Sequence, residues 1–301
     1  MCETEIVART IMKQPEYSDS ASWITSIIRD FIYSSPANRL WDGSLEKSWD
    51  DPLVGFSAGN DPLYDEFKNH IGPFYWTPLE IFKRTFDDYH GSSDGLTVIS
   101  WILPQTKDTK QANRKESLYP AERWARSRTF GEEGNVELRN HVVSHLLDAG
   151  SRAVAPFLSP DWTQLTSGKF GLASNWSERH AAYASGLGTF GLCDGLITSR
   201  GKAMRAGSVV AEIQIPPTPR PYKDHHEYCL FFSDGTCGKC MKRCPVGAIT
   251  EAGHDKTKCF EHIYTSTAPY VKSHYGFDGY GCGLCQTKVP CESGIPKASS
   301  R

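Results

Sequence analysis

Eight of the ten cysteines of this 301-residue chain fall between Cys229 and Cys291, about a fifth of its length. Thiolates bind soft metal ions, iron–sulfur clusters or, as disulfides, one another, so this crowding points to one of three chemistries. The eight are Cys229, Cys237, Cys240, Cys244, Cys259, Cys282, Cys285 and Cys291. Cys2 and Cys193 stand outside the group; Cys2 reads as a free surface thiol and Cys193 as a small packing residue. The opening Met-Cys-Glu-Thr-Glu lacks the basic and apolar regions of a secretory signal and has no twin-arginine pair, which sets the expectation of a cytoplasmic protein. Thiols stay reduced there, so ligation is favoured over disulfides.

Spacing narrows the choice. Cys237-Gly-Lys-Cys240-Met-Lys-Arg-Cys244-Pro245 reproduces the last three cysteines and the proline of C-x2-C-x2-C-x3-C-P, the bacterial ferredoxin pattern whose fourth cysteine serves the other cluster. Asp234 stands where the first cysteine would be, and Cys229 is available instead. The second half offers Cys259, Cys282-Gly-Leu-Cys285 and Cys291, while Gly279 and Val289-Pro290 occupy the repeat's first and last cysteine positions. Eight thiolates suffice for two [4Fe–4S] clusters. With ferredoxin-type exchange one takes Cys229, Cys237, Cys240 and Cys291, and the other takes Cys244, Cys259, Cys282 and Cys285. Paired four-cysteine zinc sites compete, since C-x2-C pairs also nucleate zinc ribbons. The Cys-Pro ending and interlocked spacing favour iron–sulfur.

The elements that must position this module precede it. Apolar residues at spacings of three and four predict helices over 20–33 and 132–149, the latter capped by Gly150. A β-branched run ending at Pro104 predicts a buried strand over 96–103, and shorter strands are expected at 153–158, 196–198 and 208–215. Residues 177–185 read as a helix, and 41–62, rich in Trp, Asp, Gly and Pro, as ordered loop. The fold class is therefore α+β, with an α/β domain over 1–220 and a cysteine module over 221–301 joined through the prolines at 216–221. A net charge of −2 excludes nucleic-acid binding through bulk charge, and Arg123, Arg126 and Arg128 read as a solvated helix face. No apolar run is long enough to span a bilayer, so no membrane association is expected.

Ahead of the cysteines lies a glycine-rich turn, Ser185-Gly186-Leu187-Gly188-Thr189-Phe190-Gly191, followed by Leu196-Ile197-Thr198 and Gly201. It does not complete the dinucleotide fingerprint. Taken alone, it either admits a bulky ligand to the backbone or turns a corner.

The stretch Ser177-Glu178-Arg179-His180 through Gly191, then Thr198, Gly201 and Arg205-Ala-Gly-Ser208, runs directly into the cysteine module. In this it resembles the cobalamin-dependent iron–sulfur reductases, comprising epoxyqueuosine reductase and the corrinoid reductive dehalogenases. The resemblance implies a nitroreductase-like domain holding base-off cobalamin beside a two-cluster ferredoxin-like module. It also implies corrinoid contacts from Gly186, Gly188, Thr189, Phe190, Gly191, Thr198, Arg205 and Ser208, and a low-potential donor such as ferredoxin or flavodoxin. Two departures stand out: residues 170–176 lack the acid that epoxyqueuosine reductase carries before its Glu-Arg pair, and no helical-repeat tail follows Cys291. The expectation is a reductase of unassigned substrate that does not act on tRNA. An electron-transfer or corrinoid-handling protein and a flavin-dependent reductase are the alternatives. Glu178, Arg179, His180 and Tyr183 share helical spacing, and none is singled out as a catalytic acid.

Overall fold

The β-branched and aromatic run at 97–104 is buried on both faces and forms the centre of the fold. A computed structural model describes residues 20–298; Cys2 and the N-terminal residues read for signals lie outside them. In chain order the first part runs α1 (Ser20–Ser34), β1 (Leu53–Ala58), α2 (Leu63–Ile71), α3 (Pro78–Thr85), β2 (Thr97–Pro104), α4 (Lys107–Lys115) and α5 (Glu122–Asp148). It continues through β3 (Ala153–Val154), β4 (Gln164–Ser167), β5 (Gly171–Ser174), α6 (Glu178–Ala184), β6 (Gly188–Phe190), β7 (Leu196–Thr198) and β8 (Met204–Ala211).

Strands β1, β2, β8 and β3 pair in that order, all antiparallel. Side chains alternate across the sheet, so each face feeds its own core. Val98, Ile102 and Val210 pack under α2, α3 and α6, whereas Ile99, Trp101 and Val209 pack under α1 and α5. The Ile24, Ile27, Ile28 and Ile32 stripe of α1 is what the second face covers, each fully buried aliphatic contributing about 1.5–3 kcal/mol. Trp101 buries its ring there and donates Nε1–H to Asn135 Oδ1 at 2.9 Å, so the polar end is satisfied.

Four expected boundaries differ, one of them the strand expected at 208–215, which runs over Met204–Ala211 because that stretch is what pairs with β2. The stretch expected as loop contains β1, because pairing with β2 imposes extended backbone on Leu53–Ala58 regardless of the polar residues around it. Only Ala153–Val154 of the expected strand pairs, since Pro156 opens a single helical turn. Helix α5 starts ten residues early, and Arg128, expected on a solvated face, is turned beneath Tyr280 with its guanidinium 4.5 Å from the ring.

The cysteine module follows as α7 (Leu230–Ser233), α8 (Lys239–Arg243), the two-residue strands β9 (Ile249–Thr250) and β10 (Gly253–His254), α9 (Lys256–Glu261), a π-helical turn and α10 (Ala268–Tyr275). Arg243 pins it to the first part, donating to the Leu284 and Thr287 carbonyls within the module and to those of Asn113 and Glu116 on the α4 end. Buried Glu292 accepts a forked pair from Arg114 Nε and Nη2. The proline segment packs along β1, with Thr218 N–H donating to Phe56 O at 2.9 Å. Among the described residues no helix is long and apolar enough to cross a membrane.

Candidate cofactor site: two groups of thiols beside a cleft

Short helices and turns carry the module's cysteines, of which Cys229, Cys240 and Cys291 are buried and the other five half-buried. Cys229 at the start of α7, Cys237 before α8, Cys240 within it and Cys291 line one small cavity, walled by Leu192, Ile197, Phe231 and Val289. Cys259 and Cys282 face a different opening, and burial together with the nearby Cys259 and Cys244 pushes the Cys282 thiol up to about 12. Cys285 lies between the groups, influenced by both Cys193 and Cys282. Thus Cys229, Cys237, Cys240 and Cys291 share one cavity, and Cys244, Cys259 and Cys282 lie near one another. Among the described residues no three His, Cys, Asp or Glu side chains converge on one point as a single ion would require. Zinc–sulfur bonds of about 2.3 Å draw four sulfurs together, whereas a cubane holds its thiolates apart around a larger body.

Cys193 is not simply a packing residue. Its thiol is 5% exposed and sits against those of Cys240 and Cys285. Hydrogen bonds from those two thiols, with help from Lys202, hold Cys193 well below the usual cysteine range. The Lys202 ammonium approaches its Sγ to 3.2 Å.

The second group opens on a larger cleft, of about 250 Å³, between the sheet and the module. Met204 and Arg205 of β8 form one wall; Cys259, Cys282, Tyr264 and Tyr280 form the other; Trp124 and Arg128 close an end. Arg205 is steered by Glu132, whose carboxylate accepts from Nε at 2.6 Å. Arg128 is pulled down to about 10 by burial and by the like charge of Arg205. Its Nη1 is buried without a hydrogen-bond partner and has only the Glu132 carboxylate, 3.9 Å away, as its ion-pair partner. His254 also lines the cleft: burial opposes its charge, but Asp194 at 3.2 Å and the Cys259 thiol outweigh this and push it up to about 9. Burial instead lowers Lys256, which donates to the Leu172 carbonyl on β5.

Comparison with known proteins finds both sequence relatives and a shared fold. An epoxyqueuosine reductase of Bacillus anthracis is 30% identical over 125 residues, covering 40% of this chain and 30% of that protein. One from Gloeobacter violaceus is 32% identical over 120 residues, covering 38% and 35%. Over this stretch the chain is similar in sequence to the epoxyqueuosine reductases. The match spans about a third of those relatives' length. A catabolic reductive dehalogenase solved with 3-bromo-4-hydroxybenzoic acid shares the fold, at 15% identity and a TM-score of 0.51, over 96% of this chain and 38% of that one. No protein-family model matches.

The glycine segment turns a tight corner. Gly188 pairs with Thr198 across the β6–β7 hairpin, and a Cβ there would meet the Ile197 carbonyl oxygen at 2.2 Å. The close approach it permits is to this chain's own backbone. Gly186, Thr189, Phe190 and Gly191 belong to the same corner; buried Thr198 donates to Gly201 O, and buried Ser208 donates to Glu178. Of the eight residues in the resemblance's corrinoid set, Arg205 lines the cleft. Glu178 pairs with Arg139 rather than Arg179, while burial takes His180 down to about 3 in an aromatic nest with Phe67 and Phe190. Sequence reasoning missed Lys202, His254, Lys256 and Tyr280. Only Tyr280, two residues before Cys282, carried a positional hint.

Proposed function

We propose that this chain is an iron–sulfur reductase whose two [4Fe–4S] clusters pass electrons to cobalamin held in the cleft. One observation carries the reading: Cys259 and Cys282 share the cleft's walls with Met204 and Arg205 of the sheet, so a cluster there would adjoin whatever the cleft holds. One cluster is assigned to Cys229, Cys237, Cys240 and Cys291, and the other to Cys244, Cys259, Cys282 and Cys285. On this reading residues 1–220 are a nitroreductase-like cofactor domain and 221–301 a two-cluster ferredoxin-like module.

Cobalamin follows from the resemblance, and the donor set suits it. Arg128 Nη1, which makes no hydrogen bond, and the Arg205 guanidinium offer hydrogen bonds to the amide and phosphate acceptors a corrinoid presents. When bound, it supplies a cobalt centre that takes single electrons and does the chemistry on substrate. The protein's share is positioning: Arg205 stays aimed because Glu132 holds it, Trp124 and Tyr280 present aromatic surface to the cleft, and Asp194 favours the charged form of His254 there. A low-potential ferredoxin or flavodoxin would supply the electrons. The absence of an acid from 170–176, with Leu172 on the cleft wall, favours a second reading: a protein that reduces or handles a corrinoid without a small substrate of its own.

Titrating base-off cobalamin anaerobically into the protein tests this. Wild type should shift the corrinoid's visible spectrum on binding. Arg128→Met should bind about tenfold more weakly, the worth of one charged hydrogen bond near 1.4 kcal/mol, with its iron content unchanged. Arg128 also pairs with Glu132 at 3.9 Å and covers the Tyr280 ring, so circular dichroism and iron content of the variant must match wild type before affinities are compared. No corrinoid binding by wild type, with flavin copurifying instead, defeats the assignment.

A further inference from the structure

We infer that Lys202 is a built-in counter-cation that raises the reduction potential of the cluster held by Cys229, Cys237, Cys240 and Cys291; this rests on the cluster reading above. Lys202 is 2% exposed and lines the same cavity as those four thiols. Its ammonium lies 3.2 Å from Cys193 Sγ and also approaches Cys291. Among the described residues it forms no ion pair with a carboxylate. A buried ammonium without an anion costs several kcal/mol, so the negative charge that keeps it there must come from sulfur.

The surrounding chain is shaped for it. Gly195 has no Cβ, and one built there would lie 2.8 Å from Lys202 Cδ and 2.9 Å from Cγ, so the glycine vacates the path of the lysine stem. The Lys202 N–H donates to Cys291 O at 2.8 Å, which fixes the backbone from which the stem departs beside a proposed ligand. The thiol it meets, Cys193, touches Cys240 of one proposed set and Cys285 of the other, so the cation stands near both clusters but within the cavity of the first.

The electrostatic consequence has one sign. Reduction adds one electron, and thus one negative charge, to a cluster; a fixed cation nearby stabilises the reduced state more than the oxidised one. Net charge and hydrogen bonds near the sulfurs are among the protein's main controls on cluster potential. Lys202 is thus a positioning residue acting through the cluster's surroundings. Removing its charge should move the first cluster's midpoint to a more negative potential and move the second, on the cleft side, less.

The test is an anaerobic redox titration followed by paramagnetic resonance of wild type, Lys202→Met and Lys202→Arg. The first cluster's signal is identified as the one lost in Cys240→Ala. A negative shift of that midpoint in Lys202→Met, with iron unchanged and the potential largely restored in Lys202→Arg, supports the inference. An unchanged midpoint in a loaded Lys202→Met overturns it. So does an arginine variant shifted as far as the methionine one, because packing and not charge would then be the cause. If Lys202→Met fails to load the first cluster, arginine decides: loading at the wild-type potential sustains the inference, and equal failure ends it. Wild type without iron would sink the cluster reading itself, a result separate from all of these.

Discussion

Replacing Arg139 with methionine should destabilise the protein by about 3–5 kcal/mol, a large part of a typical domain's stability. The Arg139 side chain is 1% exposed and pairs with Glu132 at 3.3 Å and Glu178 at 3.2 Å, while Nη2 donates to Ala206 O and the guanidinium covers the Phe157 ring. Methionine restores the volume but leaves two largely buried carboxylates facing each other. Burial, only partly offset by Arg139 and Ser208, already raises the Glu178 carboxyl above the usual range. Losing Arg139 raises it further. A carboxyl raised in the folded state binds its proton more tightly there, so its contribution is present below the unfolded value and lost as pH climbs through the folded one. The variant's deficit should therefore shrink in mild acid and widen above neutrality. Chemical denaturation at several pH values reads this directly, and a deficit below about 1 kcal/mol at all of them contradicts the account.

That network also explains why parts of the site were hard to read in sequence. The cysteines are legible because their chemistry is fixed by residue type and short spacing. Strand β2 is legible because its uninterrupted apolar run has few other homes. Arg139, Glu132, Glu178 and Arg205 come from three separate elements, and nothing local to any of them announces the partnership. Arg128 looked like one of three basic residues on a helix, and only the turn carrying Tyr280 makes it part of a cleft. Cys193 lies 36 residues before the next cysteine in sequence, yet the β6–β7 hairpin folds it against Cys240 and Cys285. The glycine turn was legible as a turn; what it approaches was not, since a missing Cβ says only that something comes close. Strand β1 was hidden because its pairing partner lies some forty residues on.

Single cysteine replacements should separate the two thiol groups. Cys240→Ala should lose the cluster of the enclosed cavity, and Cys259→Ala the one beside the cleft. Each should retain about four of the eight iron atoms that two cubanes contain. Cys229→Ala should reproduce the first defect, because Cys229 stands in for the cysteine that Asp234 displaces. Cys193→Ala should keep all the iron. Paramagnetic resonance of the reduced variants distinguishes the signals; if Cys240→Ala and Cys259→Ala abolish the same one, the assignment of ligands to two sets is wrong.

The central claim is that these thiols hold iron–sulfur clusters at all, and one measurement addresses it directly. Protein purified or reconstituted without oxygen should contain about eight iron and eight acid-labile sulfide atoms per chain. Stoichiometric zinc with negligible sulfide would contradict the account.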